Sequence, residues 1–414
     1  MTPKAIVLDR IKQIDHDLSI ELDSIHSPSL MNGLGGSVLF YVNGYTALRN
    51  EAMANKARQL VDKLIDELQA NEVTHSYCDG ITGVGYLLSY LSETDLLDVD
   101  VDEFLEDVDK HVLNETSFII SKYRDLDFLH GGLGMGIYLL SRYPKNPPLR
   151  RLINEVLDQL IDLIDHDIMG SLPVNLIMNA ISPGASPARF FNLGMAHGAS
   201  AYLVFLARYL TQFPGHPRAL DVMSRLVNYI KTFYRPATGN EGQEGAFPDI
   251  INFGRHGVYR VPLGWCYGDL TLSIGFLMAG EVMDDPALRQ FAETIALTTL
   301  QRDSLEAAHL SDACFCHGTT SMAQAYRIWY RASGNQAFKK AYEHWITLTL
   351  EMGRFSDGIG GYKKFTGTDT GLPGGIPKYD RITGLLDGAT GIGLVLTDYL
   401  EQDKIDWERF LLWT

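Results

Sequence analysis

The chain has 414 residues, 46% hydrophobic and 21% charged, with a net charge of −16 from 51 acidic and 35 basic side chains. This acidity repels phosphate backbones and anionic lipid, which excludes nucleic acid and membrane surfaces as natural partners. The length exceeds the usual single-domain size, but no Pro/Gly/Ser-rich linker divides it, so one repeat-built domain over 1–414 is expected.

The N-terminal stretch MTPKAIVLDRIKQIDHDLSI carries charges throughout and lacks the apolar core of a signal peptide. No run of about 18 apolar residues occurs, so stable membrane insertion is not expected and a cytoplasmic location is. Four cysteines (Cys78, Cys266, Cys314, Cys316) are too few for a disulfide framework in so long a chain. They are core hydrophobes, metal ligands or catalytic thiols.

In chain order, one pattern recurs seven times: a glycine, small residues, then an apolar helical stretch. The copies begin at Gly33 (GLGGSVLFYV), Gly80 (GITGVGYLLSYL), Gly131 (GGLGMGIYLL), Gly198 (GASAYLVFLARYL), Gly268 (GDLTLSIGFLMAG), Gly318 (GTTSMAQAYRIW) and Gly388 (GATGIGLVLTDYL). Four close as GxxG, and the copies at 198, 268 and 318 put Ala, Thr or Ser in the fourth place. Between them lie amphipathic helices. One has Met53, Ala57, Leu60, Val61, Leu64, Ile65 and Leu68 on a single stripe; another has Leu152, Ile153, Val156, Leu157, Leu160 and Ile161.

An all-α fold follows: an α/α toroid of seven helical hairpins, about fourteen helices in inner and outer rings. Small residues at the inner helix starts let backbones approach closely and leave free N–H groups pointing at the central cavity. Gly/Pro-rich insertions near 166–195, 235–264 and 352–386 are poor helices that cover one face, with short strands in one of them.

The residues just before the repeat glycines carry the chemistry. One place before stand Asn32, Asp79, His130, His197, Tyr267, His317 and Asp387, every one polar or titratable. Two places before stand Met31, Cys78, Leu129, Ala196, Cys266, Cys316 and Leu386. In a ring these lie at one level around one mouth. Consecutive repeats then bring Cys266 beside Cys316 and His317, three ligands of the kind Zn2+ prefers, with a fourth position open for water or substrate. Cys314 does not share the offset and reads as packing; Cys78 shares it but lies across the ring and reads as a buried hydrophobe. His197, at a helix N-terminus whose dipole favours the uncharged ring, and Asp127, four places before Gly131, are candidates for proton transfer. His130 and Asp387 are further candidates.

The sequence resembles the lanthionine synthetase C-like family. The resemblance runs over nearly the whole chain through the seven repeats and is most specific at Trp265-Cys266-Tyr267-Gly268, at Cys316-His317-Gly318 and at Gly194-Met195-Ala196-His197-Gly198. It implies a toroid with one zinc held by Cys266, Cys316 and His317. It further implies a carbon–sulfur bond-forming cyclase of the lyase class, which adds cysteine thiols of a precursor peptide to dehydroalanine or dehydrobutyrine. The family's acid/base histidine falls on His197, its aspartate on Asp127, and its tyrosine after the first zinc cysteine on Tyr267. Where family members often carry an arginine four places before that cysteine, this chain has Pro262; Arg260 lies two places further upstream. Arg260, His130 and Asp387 make up the expected substrate-binding set. With no separate dehydratase region, the chain is expected to receive its peptide already dehydrated, from a dehydratase and on the way to an exporter.

Three other readings stay open on the residues. The thiol could be glutathione's; the chain could be a non-catalytic zinc- or thiol-binding scaffold closed by Cys314 as fourth ligand; or a helical ring without metal could hydrolyse glycosides through paired carboxylates.

Overall fold

The computed structural model describes residues 3–94, 96–97, 101–168, 190–236, 244–252, 258–371, 374–400 and 405–414. Seven apolar helices each open directly after a repeat glycine: α2 (Leu34–Leu48), α4 (Ile81–Thr94), α6 (Gly132–Arg142), α8 (Ala199–Gln212), α10 (Asp269–Val282), α13 (Thr319–Ser333) and α15 (Ala389–Leu400). They form the inner ring. Around it stand α1 (Pro3–Glu21), α3 (Glu51–Ala70), α5 (Asp102–Lys122), α7 (Arg150–Ile168), α9 (Pro217–Lys231), α11 (Pro286–Thr299) and α14 (Gln336–Met352); α12 (Leu305–Ala308) is a single turn. The toroid of seven inner–outer pairs is as the repeats require. Six pairs are consecutive hairpins, whereas the seventh joins the two ends of the chain: α1 packs on α15, and α15 packs against α2.

The two rings begin in different ways. Several outer helices are capped by side chains: Asn50 accepts from Ala52 N–H, Asp285 from Leu288 N–H and Asn335 from Ala337 N–H, with prolines opening α9 and α11. The described N-cap glycines of the inner helices offer no side chain. Instead, the first helical N–H donates to the carbonyl six places before the glycine: Leu34 to Ser27 (2.9 Å), Ile81 to Thr74 (2.8 Å), Gly132 to Asp125 (3.0 Å), Thr319 to Asp312 (3.2 Å) and Ala389 to Ile382 (3.0 Å). In these five helices the first of the expected free N–H groups is thus already paired, because the preceding turn folds back onto the helix start. That fold-back also explains the glycines. A Cβ at Gly83 would stand 2.0 Å from the Tyr77 carbonyl oxygen, at Gly134 2.1 Å from that of Phe128, and at Gly391 2.1 Å from that of Leu385. The close approach is mainly to the chain's own preceding turn.

On the amphipathic helices most of the core stripe is buried as expected; Ile65 and Leu68 are half-buried, and Leu152, in the first turn of α7, is 43% exposed.

Short strands occur in all three insertions. β1 (Phe190–Asn192) from the first pairs antiparallel with β2 (Ile250–Asn252) from the second, Phe191 opposite Ile251. β3 (Lys364–Thr368) and β4 (Pro377–Asp380) form a hairpin within the third. Residues 169–189, 237–243 and 253–257 of the first two insertions lie outside the described residues. No described helix is long and apolar enough to cross a membrane.

The sequence reading missed what fills the centre. Residues 405–414 turn back into the ring, with Trp407, Phe410, Leu411, Leu412 and Trp413 buried. Tyr77 donates to the Phe410 carbonyl (3.0 Å), Trp265 Nε1 to the Leu411 carbonyl (2.7 Å) and Trp413 Nε1 to Thr271 Oγ1 (3.2 Å).

Gly83→Ala places a methyl group against a backbone oxygen that cannot retreat. It is expected to cost about 3 kcal/mol of stability, measured as a lower urea midpoint by circular dichroism.

Candidate metal centre and active site

The turns that precede the inner helices are joined by main-chain hydrogen bonds. Met31 N–H donates to the Cys78 carbonyl (3.2 Å) and Cys78 N–H to that of Leu129 (2.8 Å). Met195 N–H donates to Cys266 (2.9 Å), Cys266 N–H to Cys316 (3.1 Å), Cys316 N–H to Leu386 (2.8 Å) and Leu386 N–H to Met31 (3.4 Å). Among the described residues no such bond joins repeats three and four. There the link is between side chains: Asp127 Oδ2 and His197 Nδ1 lie 2.6 Å apart.

This belt sorts the side chains by position. The seven residues one place before the glycines all keep solvent access. The seven residues three places before (Leu30, Tyr77, Phe128, Met195, Trp265, Phe315 and Leu385) are all 0% exposed. Polar groups therefore rim the opening, while large apolar groups stack beneath them on the C-terminal segment. Asn32 Nδ2 donates to Asp79 Oδ1 (2.9 Å), and the His130 and His197 rings stack with centroids 6.3 Å apart and planes inclined by 12°.

The ligand atoms of Cys266, Cys316 and His317 all lie within 4.8 Å of one another. Without a cation these groups must share protons. A hydrogen bond from Cys266, together with burial, pushes the Cys316 thiol well above its ordinary value. The Cys316 sulfur in turn pushes His317 up to about 9, against the effect of burial. A thiol and an imidazole that keep their protons until a cation takes their place, with a second sulfur against them, fit a divalent ion that binds all three donors. Asp312, Cys314 and His317 form a second close group. Its carboxylate is already committed, however: Asp312 Oδ1 accepts from Cys314 N–H (2.9 Å) and Oδ2 from Phe365 N–H (2.8 Å). Burial and Asp312 push the Cys314 thiol well up, and Asp312 serves as a brace between the metal-side turn and the β3–β4 hairpin. Cys78 is 4% exposed and packs in the core as expected.

Asp127 is fully buried. Its Oδ1 accepts from His130 N–H (2.9 Å), and its own N–H donates to Asp125 Oδ1 (2.9 Å). An ionised carboxylate only accepts, so it fixes the His197 proton on Nδ1 and leaves Nε2 as the working nitrogen. The Tyr267 hydroxyl accepts from Asn192 Nδ2 at 3.3 Å, and burial raises it above the usual phenol value. Gly194 makes room for the Tyr267 ring, since a Cβ there would stand 2.7 Å from it. Arg260 lies apart from these groups: it is 61% exposed and engages Glu244 and His309. Asp387 Oδ2 pairs with Lys364 Nζ at 2.7 Å.

The structure thus draws in Asp125, Asn192, Asp312 and Lys364, which the sequence reading passed over. Lys364 lies in an insertion where no repeat register marks it. Asp125, Asn192 and Asp312 share one place, six before Gly131, Gly198 and Gly318, and each accepts from the N–H two residues on; the sequence reading followed only the places nearer the glycine.

A ring of paired helices with two cysteines and a histidine converging at its mouth defines an α/α toroid with a candidate metal site. The chain belongs to the lanthionine synthetase C-like protein family, whose model matches residues 24–412. Its fold is similar to that of nisin cyclase, with a TM-score of 0.70 over 98% of this chain and 96% of that one, at 18% sequence identity. No curated protein matches the sequence.

Two outcomes follow from the metal-side geometry. Asp312→Ala removes the brace and is expected to weaken Zn2+ binding by roughly 10- to 100-fold, read by competition with a chromophoric chelator. Because Cys316 and His317 hold protons tightly without the ion, binding must displace them. Zn2+ affinity should therefore fall by about tenfold or more per unit of pH as the solution is acidified, with protons released on binding in unbuffered titrations.

Proposed function

We propose that the protein is a zinc-dependent lanthipeptide cyclase. It adds cysteine thiols of a precursor peptide to dehydroalanine or dehydrobutyrine in the same peptide, giving lanthionine and methyllanthionine rings. The observation that carries this reading is the convergence of Cys266, Cys316 and His317 on the same rim as the His197–Asp127 pair. Family membership and the likeness to nisin cyclase support it.

Cys266, Cys316 and His317 would hold one Zn2+, and three protein ligands leave a place for the incoming thiol. The ion, when bound, lowers the thiol's proton affinity so that sulfur attacks as thiolate at neutral pH. In the addition a sulfur–Cβ bond forms, the Cα=Cβ π bond breaks, and the electron pair passes to Cα and its carbonyl oxygen. Cα then takes one proton; no atom is lost. His197 takes the thiol's proton at Nε2 and returns it to Cα, since Asp127 holds Nδ1. Met195, two places before His197, donates its N–H to the Cys266 carbonyl, which ties the proton-transfer group to the metal-side turn. Tyr267, steadied by Asn192, directly follows Cys266 in that turn. His130 is assigned to the peptide; Asp387 and Arg260, expected in the same set, are engaged by Lys364 and by Glu244 and His309. The strands of the three insertions bound the rim over which the peptide lies, and the substrate arrives dehydrated, the product of a dehydratase.

Cyclisation leaves mass unchanged, so free thiols are counted by alkylation and mass spectrometry. Zinc-loaded wild type should protect the thiols of a dehydrated peptide. Cys316→Ala should lose both zinc and activity. His197→Asn should keep stoichiometric zinc and lose roughly 10²- to 10⁴-fold in rate. If the zinc-loaded wild type leaves every thiol alkylatable, the proposal fails. Protection that appears only when glutathione is added, with a matching mass gain, would instead make glutathione the donor.

A further inference from the structure

The third insertion contributes more than a covering to the rim. Lys364 opens β3, and two hydrogen bonds fix its place: the next residue, Phe365, donates its N–H to Asp312 Oδ2, and Asp312 Oδ1 accepts from Cys314 N–H. On the other side, Lys364 Nζ meets Asp387 Oδ2 at 2.7 Å. Asp387 follows Leu386, whose carbonyl accepts from Cys316 N–H. The lysine is therefore held from two directions beside the turn that carries Cys316 and His317.

Its hydrogen bonding is incomplete. An ammonium has three N–H donors, and Asp387 is the acceptor found for Lys364 among the described residues. The lysine side chain is 24% exposed, so its remaining donors have access to the opening. Asp387 Oδ1 is buried and has no partner among the described residues, so that carboxylate is committed to the lysine. Arg260, the other cation considered for this role, is taken up by Glu244 and His309.

We infer that Lys364 is a catalytic residue of the addition: its ammonium binds the carbonyl oxygen of the dehydroamino acid and holds the negative charge that oxygen gains as sulfur attacks. This rests on the cyclase reading above. In the step, the sulfur–Cβ bond forms and the π pair moves through Cα to the carbonyl oxygen. Charge then returns to Cα as it takes its proton from His197. Lys364 neither gains nor loses a proton, and Asp387 positions it. A fixed cation helps such a step because charge appears on the oxygen only in the transition state and the enolate.

The test compares Lys364→Met, Lys364→Arg and wild type as zinc-loaded full-length protein, with kcat and KM from the thiol-alkylation assay. Lys364→Met should lower kcat by about 10²-fold with KM and zinc stoichiometry unchanged, and Lys364→Arg should restore most of the rate. Three results overturn the inference: unchanged kcat in Lys364→Met, a rise in KM alone, or loss of zinc together with rate in both variants. Failure of the cyclase reading looks different, since wild type itself would then protect no thiols.

Discussion

Main-chain hydrogen bonds between successive turns hold this site together. Each turn donates an N–H from the residue at or beside the second place before its glycine to the equivalent carbonyl of the next repeat, from Met31 through Cys78 to Leu129 and from Met195 through Cys266 and Cys316 to Leu386 and back to Met31. Because the bonds use backbone alone, the belt tolerates any side chain at those places. It fixes only level and direction. That freedom lets one architecture carry methionine, leucine or alanine at four positions and cysteine at three, Cys78 in the core and Cys266 and Cys316 where a metal would bind. The Asp127–His197 bond bridges the remaining junction, so the groups best placed to move a proton also complete the ring.

The same geometry explains the division of labour along each turn. Side chains one place before the glycine reach the opening, and those three places before are sealed below it. Trp265 shows the coupling. It lies next to Cys266 in sequence, yet its indole is buried and donates to the Leu411 carbonyl of the C-terminal segment. The metal-side turn is thereby anchored from beneath by packing and from the side by the belt. Preorganisation of this kind keeps three donors close together despite the cost of removing their protons side by side.

The insertions add what the repeats cannot. Inner-helix turns are equivalent by construction, so a site built from them alone would be close to symmetric. Asn192 at the end of β1 steadies Tyr267, and the β3–β4 hairpin brings Lys364 to Asp387 through the Asp312 brace. These contacts make one sector of the rim, from repeat three to repeat seven, chemically distinct from the Asn32–Asp79 sector.

Much of this was legible in the sequence because repetition multiplies weak signals. A single GxxG says little, but seven in register gave the toroid, its inner and outer helices, and the level shared by Cys266, Cys316, His317 and His197. The role of Asp127 followed from the family resemblance, and its partner from geometry. What sequence could not supply were the contacts that no offset encodes: α1 closing the ring against α15, the C-terminal segment filling the centre, the first N–H groups of the inner helices folding back to their own turns, and Lys364 reaching Asp387 across an insertion. Local pattern fixes which residues share a face, since side-chain direction follows backbone periodicity. Which distant segments meet is decided by how the whole chain buries its apolar surface and pairs its backbone, and that is settled only in three dimensions.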